Sequence, residues 1–195
     1  MNCKLFLAFS ALLSYSHCYG QNLINKDLRL YNVMTDTEIT MNHFDSHSAV
    51  VMVFTSIHCP YAKLYKERIS ALSQQYADQN VRFVLVNANA SNPSKKETIA
   101  HMKIEASDTT YQEVSYFADK NHSLKKSFNV EKNPEVIILT PSGNGFRKVY
   151  QGAIDDSPQS ASEVSKNYVQ ITLDNILTNK AVSMTYQSPI GCRIQ

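Results

Sequence analysis

The feature that most constrains the fold is the run Ala49-Val50-Val51-Met52-Val53-Phe54, six apolar residues rich in valine with no polar position among them. A strand with one face in water alternates apolar and polar residues, because successive side chains point to opposite sides of the sheet. An uninterrupted run therefore predicts a strand covered on both faces, central in a layered domain. After Cys59-Pro60 the period changes. Tyr61, Tyr65, Ile69, Leu72 and Tyr76 recur at helical spacing and form one apolar stripe. Pro60 suits the first turn of that helix, where its missing N–H has no helical partner to lose. Cys59 thus falls where a buried strand gives way to a helix.

The rest of the chain fills in the layers. Leu28 to Val33 and Glu38 to Met41 read as a hairpin turning at Met34 to Thr37. Val81 to Val86 is a second buried strand, closed by the polar stretch Asn87 to Pro93. Ser94 is expected to cap a short helix reaching about Glu105, with Glu97 completing a capping box. Tyr111 to Ala118 alternates weakly, and Ser123 to Phe128 reads as a short helix. Glu135 to Leu139 and Phe146 to Gln151 form a hairpin around Pro141-Ser142-Gly143-Asn144-Gly145. Asp155 to Asn167 is a polar loop before a last helix, Tyr168 to Asn179, with Val169, Leu173, Ile176 and Leu177 inward. A strand-helix-strand unit, a hairpin and a closing helix predict an α/β sandwich around a mixed sheet.

Residues 1–20 differ in kind. Lys4 precedes an apolar run from Leu5 to Tyr15, followed by Cys18 and Gly20, the pattern of a secretory signal cleaved after Gly20. The run is about half the ~20 apolar residues of a membrane span, and nothing after Gln21 is long enough to be one. Lipidation at Cys18 is the lesser alternative. The expectation is a single domain over 21–195, exported to a periplasm or outside the cell. With 19 Lys and Arg against 17 Asp and Glu, no strong field exists to attract nucleic acid or an acidic membrane surface. Processing would leave two cysteines, Cys59 and Cys192, in an oxidising compartment.

At a helix start, unpaired N–H groups and the dipole favour an anion, and a protonated His58 beside Cys59 would do the same, so a reactive thiolate is expected there. The alternative is an inert core cysteine. His43, His47, His58, His101 and His122 show no ligand spacing on any one element, so no metal or cofactor is expected, with a Cys59/His58 metal site as the outlying alternative. Asp155-Asp156 reads either as an orienting pair for the active loop or as solvated carboxylates.

Four segments carry a family resemblance: Phe54-Thr55-Ser56-Ile57-His58-Cys59-Pro60-Tyr61-Ala62-Lys63, Asn133-Pro134-Glu135, Val149-Tyr150-Gln151-Gly152-Ala153-Ile154-Asp155-Asp156, and Ser188-Pro189-Ile190-Gly191-Cys192-Arg193-Ile194. Together they resemble thioredoxin-like proteins, in the redoxin or peroxiredoxin-like branch related to alkyl hydroperoxide reductase and thiol-specific antioxidant proteins. The resemblance implies a thioredoxin-like sandwich, Cys59 as the attacking thiol, and Pro134 as the cis-proline beside it. Asn133 stands where thioredoxins usually present Thr. Ala62 replaces the second cysteine of a local dithiol, and Ser56 replaces the cysteine that related proteins often carry three residues before the first. Of the peroxidase motif, Ser56 is retained and the proline seven residues before the cysteine is Met52.

Cys192 is then either a resolving thiol on a mobile tail or one half of a structural Cys59–Cys192 staple. Three functions stand open: an exported thiol oxidoreductase or thiol-dependent antioxidant acting on a thiol/disulfide protein or a peroxide, a redox-inactive binding module, and a metal-delivery protein. Oligomeric state is not readable from the sequence.

Overall fold

The computed structural model describes residues 23–90, 97–111 and 114–195. Its strands are β1 (Ile24–Asn25), β2 (Arg29–Asn32), β3 (Thr37–Thr40), β4 (Ala49–Phe54), β5 (Val81–Asn87), β6 (Ser115–Ala118), β7 (Lys132–Asn133), β8 (Glu135–Ser142), β9 (Gly145–Gly152), β10 (Tyr186–Gln187) and β11 (Cys192–Arg193). Its helices are α1 (Pro60–Gln75), α2 (Ile99–Ala106), α3 (Ser123–Phe128) and α4 (Tyr168–Leu177). The signal segment and Ser94 lie outside the described residues.

The main sheet runs β1-β9-β8-β4-β5-β6-β2-β3, with β10 added beside β9. β4, β5 and β6 are mutually parallel, and β8 lies antiparallel to β4, with Met52 opposite Ile137. All six residues of β4 are buried, as the unbroken apolar run demands. Their alternation divides the core into two layers. Val51 and Val53 face a cluster with Tyr65, Ile69 and Leu72 of α1 and Val169 and Leu173 of α4. Val50, Met52 and Phe54 face the other cluster, with Leu124 and Phe128 of α3. Each such fully buried side chain contributes about 1.5–3 kcal/mol. This is the α/β thioredoxin-like sandwich that the resemblance implied.

Three local differences have physical causes. Helix α2 begins at Ile99, with Thr98 accepting from the His101 N–H, so the cap sits four residues beyond Ser94. Glu97 is consequently free of any capping role and goes into the core. Strand β8 continues through Pro141 to Ser142, and the hairpin closes in two residues, with Gly143 at φ +53°. Helix α4 stops at Leu177, where Asn179 turns left-handed at φ +55°.

Candidate active site

Cys59 is placed by the end of β4 and the start of α1. The Thr55 N–H still donates to Val86 O at 2.8 Å, extending the ladder one residue past the strand. Thr55 and Ser56 stay buried, and the chain rises through Ile57 to the exposed His58. Cys59 then takes an extended conformation (φ −76°, ψ 118°) as the N-cap of α1, with Pro60 at the first helical position. Its carbonyl accepts from the Lys63 N–H at 3.1 Å. Cys59 therefore stands at the N-terminus of a sixteen-residue helix, where the dipole favours a thiolate, although its side chain accepts no capping hydrogen bond. The residue is nevertheless only 2% exposed.

The carboxyl terminus reaches this cysteine. Cys59 and Cys192 form a disulfide with Cα atoms 5.9 Å apart. The Asn133–Pro134 peptide is cis, and Asn133 O lies 3.2 Å from Cys59 Sγ. A disulfide sulfur carries no proton, so this is a contact that becomes an S–H···O bond only on reduction. Strand β11 runs antiparallel to β7, with Cys192 opposite Asn133 and Arg193 opposite Lys132.

The tail is docked along its length rather than loose. The Ile194 N–H donates to Glu131 O at 2.8 Å, and the Ile194 side chain is buried in the α3-side core. The Gln195 N–H donates to Asn89 Oδ1 at 3.0 Å. Upstream, β10 pairs with β9, and Lys132 Nζ donates to Pro189 O at 3.1 Å. A mobile tail is expected from its polar sequence; backbone pairing and one buried isoleucine hold it down instead.

Ser56 does not stand alone. Its hydroxyl donates to Glu97 Oε1, and Asn87 Nδ2 donates to Glu97 Oε2 at 2.7 Å and to the Tyr116 hydroxyl at 3.3 Å. Glu97 is 2% exposed, a carboxylate held under the strand-to-helix turn by two side-chain donors. On the other side of the site, Asp155 is fully buried. It accepts from Arg68 Nη1 at 2.8 Å, from the Tyr65 hydroxyl at 2.7 Å and from the Ser157 N–H at 3.0 Å. Burial first, and then this bond to Asp155, push the Tyr65 hydroxyl pKa above its ordinary value. Arg68 also donates to Ser157 O and Pro158 O, tying α1 to the loop beside Pro134. Asp155 and Asp156 are thus not a solvated pair: Asp155 is buried, and exposed Asp156 accepts from the Ser165 and Lys166 N–H groups.

Immediately after Pro134, Glu135 is buried and accepts from Gln151 Nε2 at 2.7 Å. Burial raises its carboxyl pKa above the usual range, against the lowering effect of the Gln151 bond. Among the described residues no three His, Cys, Asp or Glu side chains converge as a metal-ligand set, and no helix is long and apolar enough to cross a membrane.

The structure therefore brings Cys59, Cys192 and Asn133-Pro134 together, sets Ser56 in a buried carboxylate network, and leaves His58 exposed beside the cysteine. Sequence reading assigned Glu97 to a capping box rather than to the core, gave Glu135 and Gln151 no role of their own, and did not see that Arg68 holds Asp155. A Glu inside an otherwise uncharged strand start was the one available signal, at Glu135. A paired cysteine at a helix start can exchange disulfides: it offers a bond to an attacking thiolate and, once reduced, a thiolate of its own.

Among curated protein sequences none matches significantly. Among solved structures, an uncharacterised conserved protein from Geobacillus kaustophilus is similar at TM-score 0.77 and 24% identity, covering 90% of this chain and 92% of its own. A hypothetical protein from Sinorhizobium meliloti is similar at TM-score 0.74 and 23% identity, covering 88% and 93%. A secreted disulfide oxidoreductase from Mycobacterium tuberculosis is similar at TM-score 0.50 and 12% identity, covering 78% and 96%. The family model described as thioredoxin-like matches residues 47–145, slightly more than half of the chain, including β4, Cys59 and the cis-proline. On the fold, the placement of Cys59 and this match, the chain belongs to the thioredoxin-like family.

Proposed function

We propose that the protein is an exported thiol-disulfide oxidoreductase in which Cys59 is the exchanging thiol and Cys192 its resolving partner. The observation that carries this reading is the disulfide between a helix-capping cysteine and a cysteine seated on the cis-proline loop. In the reduced protein the Cys59 thiolate attacks one sulfur of a client disulfide. That S–S bond breaks, the client's other sulfur leaves as a thiolate, and a mixed disulfide remains. The Cys192 thiolate then attacks Cys59 Sγ, the client's second sulfur leaves as a thiolate, and the Cys59–Cys192 bond re-forms. Two electrons pass from the protein to the client, and an external dithiol restores the protein. The same steps run backwards oxidise a client dithiol.

Disulfide exchange is better supported than peroxide reduction. The Ser56 hydroxyl, half of the peroxidase motif, is committed to Glu97, and Met52 stands where that motif has proline. Pro134 and His58 take the roles of client-facing wall and thiolate-stabilising neighbour. The test is turnover of a protein disulfide by a dithiol reductant. Wild type should catalyse it, Cys59→Ser should be inactive, and Cys192→Ser should accumulate a mixed disulfide at Cys59.

One observation favours a second reading, a redox-inactive binding module with a structural staple. The tail is fixed by β11 pairing and by buried Ile194 as well as by the disulfide. Loss of both turnover and trapping, with an intact disulfide, would select it.

A further inference from the structure

The tail approaches Asn133 more closely than a side chain would permit. A Cβ at Gly191 would lie 2.0 Å from Asn133 O and 2.6 Å from Asn133 C, both backbone atoms of the cis-proline loop. These atoms belong to the same residue that pairs with Cys192 and touches Cys59 Sγ. Two positions past Cys192, Ile194 is buried in the same apolar cluster as Val130 and Phe128. Pairing, glycine and anchor together define a register: glycine against Asn133 O, cysteine opposite Asn133, one free position, and an aliphatic residue in the core.

We propose that the tail is an internal occupant of the client seat, and that the clients of this protein present an extended Gly-Cys-x-aliphatic segment along Lys132–Asn133. The proposal rests on the disulfide-exchange reading above. When the Cys59–Cys192 bond is reduced, the tail is held by non-covalent contacts alone, its backbone pairing, the Lys132–Pro189 and Gln195–Asn89 hydrogen bonds and Ile194, and a client segment adds to the same short edge in its place. The Cys59 thiolate attacks the client's cysteine sulfur, breaking the client disulfide and expelling its other sulfur as a thiolate. The returning tail then displaces the client as Cys192 attacks Cys59 Sγ and the client cysteine leaves as a thiolate, the dithiol being restored by an external dithiol. Discrimination at the position before the cysteine is steric, set by backbone that cannot rotate aside.

The test uses reduced Cys192→Ser protein and peptides of the tail sequence Ser-Pro-Ile-Gly-Cys-Arg-Ile-Gln, each with its cysteine activated as a mixed disulfide with thiopyridine. Released thiopyridone reports attack by Cys59. The glycine peptide should react about tenfold or more faster than the same peptide with valine before the cysteine. In the double variant Gly191→Val with Cys192→Ser, the protein's own tail loses its seat and the glycine peptide should react faster still. Equal rates for the two peptides, or no gain in the double variant, overturn the proposal. Dithiodipyridine, which has no peptide to seat, separates the two levels: if Cys59 fails to react with it, the disulfide-exchange reading falls, whereas normal reaction with it alongside equal peptide rates sinks only the seat.

Discussion

Cys192 faces Asn133 across an antiparallel backbone pair while its sulfur is bonded to Cys59, so one residue both extends the cis-proline loop as a strand and caps the helix-start cysteine. The covalent bond and the pairing reinforce each other, because each holds the other's geometry.

Breaking that bond should therefore cost stability and loosen the tail together. The disulfide spans a sequence separation of 133 residues, and closing so long a loop restricts the unfolded chain strongly. Reduction, or Cys192→Ser, is expected to lower unfolding free energy by about 2–5 kcal/mol. Hydrogen exchange should show the Ile194 and Gln195 amides, bonded to Glu131 O and Asn89 Oδ1, losing protection first. Unchanged protection of both amides in reduced protein would show that the tail stays seated without the disulfide.

Asp155 is the group whose loss should be felt most on the α1 side. Its carboxylate is fully buried and paired with Arg68, and removing one member of a buried pair leaves an uncompensated charge. Asp155→Ala is expected to destabilise by about 3–5 kcal/mol in urea unfolding, and Asp156→Ala by much less. Equal effects would mean that the bonds Arg68 already makes to Ser157 O and Pro158 O are enough to hold its charge.

Glu135 makes the opposite kind of pH dependence from a salt-bridged carboxylate. Its folded-state pKa lies above the unfolded value near 4.5, so the native state binds the proton more tightly. Stability from this group is fully present below the unfolded pKa and is lost as pH rises through the raised folded value. Glu135→Gln keeps an acceptor for Gln151 Nε2 and removes the charge. Its midpoint of urea unfolding should exceed that of wild type near neutral pH, and the difference should shrink toward pH 4. A gap that does not change with pH would rule out titration of Glu135 as its cause.

How much of this was legible depended on whether a residue's role was local. The unbroken run at 49–54 fixes a doubly covered strand because water is excluded from both faces, and the spacing from Tyr61 to Tyr76 fixes one face of α1. Both are periodic signals within one element. The cis geometry at Asn133–Pro134 entered through resemblance, since the same dipeptide can equally open a strand in trans. Glu97 was misplaced because Ser94 and Thr98 are both competent caps, and the sequence favoured the one with an acidic residue three positions on. Its true partners, Ser56 and Asn87, come from the turn after β4 and from the end of β5, which only the packed sheet brings together. The tail was read as mobile because its anchoring lies in backbone pairing and in Ile194, neither of which leaves a pattern in eight residues.

The thiol of Cys59 is expected to ionise far more readily than that of Cys192. Cys59 stands at the N-terminus of α1, and His58 is exposed beside it. Cys192 sits in a two-residue strand with Arg193 as its charged neighbour. Burial works against the Cys59 thiolate, since a desolvated anion is disfavoured, and in the oxidised protein the sulfur is bonded to Cys192 of the docked tail. Reduction frees the sulfur at the helix terminus, an arrangement that lowers thiol pKa values from about 8.5 to roughly 3.5–7.5. In reduced Cys192→Ser protein, the alkylation rate of Cys59 should already be at its plateau near pH 8, and in Cys59→Ser protein the rate at Cys192 should still be rising there. A Cys59 rate that climbs only above the pKa of a free thiol would show that the helix terminus does not govern this sulfur, and would leave the stapled binding module as the better account of the site.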